Sequence, residues 1–152
     1  MAKLHNPKTI ADPIGTYSNG VEVPPNARWL YVAGQVALRR DGSVPSTIEE
    51  QTEVVWQNVV AILESAGMKV TDLVKMTQYL VRLDLFPAYA ATRAKVLAGH
   101  RPASTGLIIS SLIRPEFLVE VEVVAAKAAP AAKAAKAAKR PARKAAKRKK
   151  RR

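Results

Sequence analysis

Two glutamates, Glu120 and Glu122, stand two residues apart in the run Val119-Glu120-Val121-Glu122-Val123. In an extended strand that spacing puts both carboxylates on one side and the valines on the other. One carboxylate can then activate or orient a water while its neighbour serves as a structural ion-pair partner. Other reactive chemistry is scarce. The chain has no cysteine, which removes disulfides, thiolate metal ligands and cysteine nucleophiles and accords with a reducing compartment. Its two histidines, His5 and His100, lie far apart without carboxylates at ligand spacing, so neither a metal nor a metal-dependent cofactor is expected. Ser104 and Thr105 offer adjacent hydroxyls. With no histidine beside them in sequence, they read as hydrogen-bond donors to a ligand rather than as nucleophiles.

The positive charge is concentrated elsewhere. Residues 126–152 hold 13 of the 25 lysines and arginines and none of the 12 acidic residues, so the net charge of +13 belongs to that stretch and residues 1–125 are neutral. Composition therefore divides the chain into a folded domain, 1–125, and a basic extension, 126–152. The extension has no apolar side chain larger than alanine apart from proline; it buries too little surface to offset its ordering entropy and is expected to be disordered. Its lysine-alanine-proline composition resembles the tails of linker histones. Lys133, Lys136, Lys139, Arg140, Arg143, Lys144, Lys147, Arg148, Lys149, Lys150, Arg151 and Arg152 are the candidate nucleic-acid contacts, binding without sequence preference by displacing counterions from phosphates. Anionic membrane surfaces and polyphosphate present the same chemistry. The 152 residues are 48% apolar, enough for a sizeable core. No run of roughly 18 uncharged apolar residues suits a membrane span, and no basic start with an apolar run suggests a secretory leader. A cytoplasmic protein, associated with the nucleoid through its extension, is expected.

An α+β fold must position the remaining groups. Residues 14–23, the turn formers Pro24-Pro25-Asn26 and the alternation over 28–33 predict an irregular β-hairpin, and Asp41-Gly42 marks a reversal. Thr47 followed by Glu50 predicts a capped helix start. Ile48, Val55, Val59, Ile62, Leu63 and Ala66 then recur at helical spacing up to a stop at Gly67. Residues 70–83 predict a long strand, and 85–98 a second helix with Pro87 in its first turn and Gly99 beyond its end. Two more strands are expected at 103–109 and 117–124. The order ββ(β)αβαββ suits a sheet with two helices on one face. Trp29, Tyr31, Leu118 and Val124 would share the other face with Glu120 and Glu122, and so large a half-apolar surface invites self-association.

Ile14-Gly15-Thr16-Tyr17-Ser18, Val32-Ala33-Gly34-Gln35, Glu50-Gln51-Thr52 with Asn58, Ala66-Gly67, Pro102-Ala103 and Val119-Glu120-Val121-Glu122 together resemble the RidA/YjgF family over residues 10–125. The resemblance implies a chorismate-mutase-like domain, a homotrimer, and clefts for small molecules at subunit boundaries. It also implies hydrolysis of amino-acid-derived enamines and imines to ammonia and a keto acid, without metal or organic cofactor. Tyr17, Gly34 and Gln35 then belong to the cleft, and Glu120 positions or activates the attacking water. In active members an arginine after Pro-Ala grips the substrate carboxylate through its planar fork. Here Ser104-Thr105 follow Pro102-Ala103, and Ala90 stands where deaminases often carry asparagine. Arg101, three residues before Ser104, is the best-placed substitute cation by sequence. Two readings follow. One is a RidA-like cleft protein that deaminates an atypical enamine or imine and is tethered to nucleic acid by its extension. The other is a non-catalytic, trimeric, histone-like nucleic-acid-binding module. Ribonuclease activity, occasionally attributed to the family, lacks a paired-histidine mechanism here and ranks below both.

Overall fold

The computed structural model describes residues 2–128. Its elements are β1 (Lys3–His5), β2 (Gly20–Glu22), β3 (Ala27–Val36), α1 (Ile48–Ser65), β4 (Leu73–Leu80), α2 (Phe86–Leu97), β5 (Ala103–Ile108) and β6 (Val119–Ala128), with single 3-10 turns before β4 and before α2. Four strands form one sheet in the order β3-β6-β4-β5. β4 and β5 are parallel, as their connection through α2 requires, and the other neighbours are antiparallel.

The alternation in β6 fixes the two faces of this sheet. Val119, Val121, Val123 and Ala125 are buried under the helices, while Glu120, Glu122 and Val124 remain partly accessible on the other side. Leu73, Met76 and Leu80 of β4 join the buried set with Val55, Trp56, Val59 and Leu63 of α1 and Tyr89 and Leu97 of α2. Leu118 departs from the expectation: it precedes the strand proper and packs against this core.

Both helices begin and end where their sequence signals stand. Thr47 Oγ1 accepts the Glu50 amide at 3.3 Å, satisfying one unpaired donor of the first turn of α1. At the other end Gly67 adopts φ +65°. Two cations meet the carbonyls there: Arg28 Nη2 donates to Ala66 O at 2.7 Å and Lys127 Nζ to Gly67 O at 2.6 Å, where the helix dipole favours positive charge. Gln51 is fully buried and holds three backbone groups, donating to Pro45 O and Glu116 O and accepting from Leu118 N. Its place in the Glu50-Gln51-Thr52 motif is thus structural.

The predicted hairpin does not form. β2 pairs with β1, and β3 pairs with β6. Ala27 N donates to Pro24 O at 3.1 Å, so the chain does turn there, but a three-residue strand with one face in water cannot compete with β6, whose ten residues offer β3 a buried face. β6 also continues through Ala126, Lys127 and Ala128, opposite Trp29, Arg28 and Ala27. The first cation of the basic stretch is therefore part of the sheet. Lys133 and the eleven further candidate nucleic-acid contacts lie outside the described residues.

Candidate functional site

β5 is the edge strand of the sheet, and the segment before β2 lies along its start. Ser18 N donates to Pro102 O at 3.1 Å, and Ser18 forms an isolated parallel bridge with Ala103. Arg101 Nη2 donates to Gly15 O at 3.3 Å. These bonds hold residues 14–18 against β5, and between that segment, β4, β5 and α2 opens a cleft of about 530 Å³. Tyr17, Gln78, Phe86, Ala90, Arg93 and Ser104 line it. Its rim is apolar and open: Ile14, Leu83, Leu107 and Ile108 are all exposed.

The polar wall of the cleft converges on Gln78. Its side-chain oxygen accepts from the Tyr89 hydroxyl at 2.6 Å and from Arg93 Nη1 at 3.1 Å, and its nitrogen donates to Ser104 Oγ at 3.3 Å. Gly106 makes room for this amide, since a Cβ there would come within 3.1 Å of Gln78 Nε2. Burial pushes the Tyr89 phenol well above its ordinary value, so it stays a neutral donor. Arg93 is buried, and among the described residues its Nε has no hydrogen-bond partner. Tyr17 supplies an aromatic wall; its own amide donates to Gly15 O at 3.0 Å in a tight turn.

The expected site residues fall into two groups. Tyr17 and Ser104 meet in the cleft. Gly34, Gln35 and Glu120 lie on β3 and β6, and β3 is the opposite edge of the sheet from β5, about 14 Å away at three strand spacings. Facing also separates them. Ser104 pairs with Met76 and shares its helix side, whereas Glu120 lies opposite Tyr79, whose side chain points the other way. Gln35 Nε2 donates to Ala33 O at 3.2 Å, within its own strand. Thr105, one residue after Ser104, turns to the open face, where Lys75 Nζ donates to its hydroxyl. Arg101 braces the Gly15 backbone and is not among the cleft's lining residues.

The open face carries a further polar set. Tyr79 OH donates to Glu122 Oε1 at 3.2 Å. Burial, and then the Glu122 charge, raise the Tyr79 phenol; burial lowers the Lys75 ammonium against the opposing pull of Glu122. Trp29 and Tyr31 stack beside them with ring centroids 6.4 Å apart. Among the described residues, no group of three acidic or histidine side chains is placed to hold a metal ion, and no helix is long and apolar enough to cross a membrane.

Gln78 and Arg93 escape a reading of short motifs. The available signal is helical phase: Tyr89, Arg93 and Leu97 recur every four residues and all are buried. A charge at the middle of an inward stripe marks a site or a compensated core position.

Comparison with known proteins places these residues among relatives. The model of the endoribonuclease L-PSP family matches residues 8–127. A RutC family protein of Pyrococcus abyssi is 34% identical over 117 residues, which cover 76% of this chain and 89% of the relative. The 2-iminobutanoate/2-iminopropanoate deaminase of Escherichia coli K12 is 30% identical over 118 residues, covering 75% and 89%. Among solved structures, a protein of the Rid family from Yersinia pestis superposes with a TM-score of 0.71 at 27% identity, covering 82% of this chain and 97% of that one.

Proposed function

Since the chain belongs to the endoribonuclease L-PSP family, the YjgF/Rid proteins with their chorismate-mutase-like α+β fold, we propose that it is a homotrimeric hydrolase whose inter-subunit clefts deaminate a small enamine or imine. Water adds to the imine carbon, nitrogen leaves as ammonia, and a carbonyl remains. The observation that carries this reading is the division of the site residues between the β5 edge and the β3–β6 side of one sheet. Tyr17 and Ser104 stand at β5, and Gly34, Gln35 and Glu120 at β3 and β6. A ring that seats the β5 edge of one copy against the β3 side of the next would unite them, with Glu120 of one protomer serving the cleft of its neighbour as the group that orients water. The exposed Ile14, Leu83, Leu107 and Ile108 at the cleft rim supply the apolar surface that such a contact would cover. The relative named an iminobutanoate/iminopropanoate deaminase supports the reaction class. The substrate here is held to be atypical, because Ser104 follows Pro102-Ala103.

The test is ammonia release from imines generated in situ by an amino-acid oxidase. Wild-type protein is expected to accelerate release, with Glu120→Gln slowing it about 100-fold or more, as loss of a general acid-base group does. Mixed oligomers of Glu120→Gln and Tyr17→Ala chains should recover activity that neither variant has alone. No release over aliphatic and aromatic imines from an intact oligomer would reject the hydrolase.

The basic extension motivates the second part of the proposal, a tether to nucleic acid. Its 13 cations without any acid are suited to sequence-independent phosphate binding. Should the hydrolase fail while the tether holds, the protein is a non-catalytic nucleic-acid-binding trimer.

A further inference from the structure

We propose that Arg93 is the anion-binding residue of the β5 cleft, gripping the carboxylate of a small substrate with an aliphatic or aromatic tail. This rests on the reading of that cleft as the substrate site. Arg93 is 7% exposed, and among the described residues no carboxylate lies within ion-pair distance of it. Its protein contacts are few for a guanidinium: Nη1 donates to the Gln78 amide oxygen at 3.1 Å, Cζ lies 5.7 Å from the centroid of the Tyr89 ring, and Nε is orphaned. A guanidinium is always charged and has five donors. Taking it out of water without a counter-ion is costly, and an amide oxygen with an aromatic ring compensates only part of that cost.

The arrangement around it is that of a receptor. Gln78 Oε1 already receives a short bond from the Tyr89 hydroxyl at 2.6 Å, so Arg93 is not needed to satisfy that oxygen. The Gln78–Tyr89 pair instead holds one corner of the guanidinium and leaves donors for a ligand. Ser104 Oγ, 3.3 Å from Gln78 Nε2, stands on the same wall with a hydroxyl hydrogen to give to the same anion. The rest of the cleft is apolar, with Phe86 and Leu107 among its lining. One fixed cation with one hydroxyl beside it, in an apolar space of about 530 Å³, fits a monocarboxylate with a hydrophobic chain. The cation thus comes from α2, while the hydroxyl beside it comes from the edge strand β5.

Binding of two probes by the full-length protein tests this without requiring turnover. One is 4-methyl-2-oxopentanoate, which has a keto acid head and a branched aliphatic chain. The other is 4-methyl-2-pentanone, a neutral ketone with the same branched chain. Calorimetric or NMR titration is expected to show the keto acid bound at least tenfold tighter than the ketone by wild type. Arg93→Gln should remove that preference while leaving the ketone's affinity unchanged, and Arg93→Lys should restore only part of it. Should Arg93→Gln not fold, Ser104→Asp sets a competing carboxylate in the cleft beside an intact Arg93 and should abolish the preference in a folded protein. Equal affinity for both probes in wild type would overturn the proposal. So would a preference unchanged in Arg93→Gln or, where that variant does not fold, in Ser104→Asp. Arg93-dependent keto acid binding without ammonia release from any imine rejects the hydrolase and keeps the anion site. Imine hydrolysis whose KM ignores Arg93 rejects the anion site alone.

Discussion

The carboxylate of Glu120 lies over the bare Cα of Gly34: a Cβ on Gly34 would stand 1.7 Å from Glu120 Oε1 and 2.6 Å from its carboxyl carbon. Gly34 sits within the irregularity that separates the Val32–Val123 and Gln35–Val121 pairs of β3 and β6. The conformation of Glu120 is therefore set by the absence of a side chain on the neighbouring strand.

Gly34→Ala tests that dependence. The backbone there is not in the left-handed region, so alanine is tolerated locally and the strain passes to the flexible carboxylate. Stability should fall by only about 0.5–1.5 kcal/mol, the scale of a displaced rotamer. Ammonia release should fall as far as it does in Glu120→Gln. Thermal unfolding and the imine assay measure the two separately, and full activity in Gly34→Ala would remove Glu120 from the reaction.

Tyr31 is 76% exposed in the single chain and stacks on Trp29. A pair of aromatic rings beside Val124 on an open sheet face is suited to burial against another copy. Tyr31→Glu puts a third carboxylate on the face that already holds Glu120 and Glu122. Light scattering at micromolar concentration should then read a monomer mass where wild type reads a trimer. A trimer that survives this change assembles through some other surface.

Two of the four tyrosines should titrate late. Tyr79 and Tyr89 are both raised above the ordinary value of 10.0, Tyr79 by burial and the Glu122 charge, Tyr89 by burial. Groups raised on folding contribute stability that is complete below their unfolded value and lost as pH climbs through the folded one. Denaturation midpoints should accordingly decline above about pH 10. In Tyr79→Phe one late step should vanish from the near-UV titration and the alkaline decline should become shallower. Titration of Tyr79 and Tyr89 at the ordinary value would contradict the half-buried, hydrogen-bonded placement of Tyr79 and the buried, hydrogen-bonded placement of Tyr89.

Truncation after Ala128 separates the fold from the extension, because Lys127 and its bond to Gly67 O are retained. Nucleic-acid binding should disappear while the oligomer's mass, corrected for the missing residues, stays trimeric. For the full chain, about eight phosphate contacts would give log K a slope near −7 against log salt, a loss of several orders of magnitude between roughly 50 and 200 mM. Binding that survives truncation, or that ignores salt, would assign the contact to the folded domain.

Local pattern alone determined the helices and the two-faced last strand. Thr47 with Glu50, Pro87, Gly67 and Gly99 are short-range signals, since caps and stops act on backbone groups within one turn. The Val119-Glu120-Val121-Glu122 alternation states its own burial, because successive side chains of a strand must point to opposite sides. The motif series also carried the family and, with it, the domain's fold. Strand partners were another matter. Whether β3 pairs with β2 or with β6 depends on which partner offers the larger buried face, a competition between segments about a hundred residues apart. The same holds for the cleft. Ser104 and Thr105 are neighbours in sequence yet face opposite sides of the sheet, and Gly34 and Ser104 stand on opposite edges. Arg93 looks like one more surface arginine until α2 packs down and turns its Tyr89 side toward Gln78. Only the tertiary structure shows a cation buried, among the described residues, without a carboxylate beside it, because burial and the lack of a counter-ion are properties of the surroundings rather than of the residue.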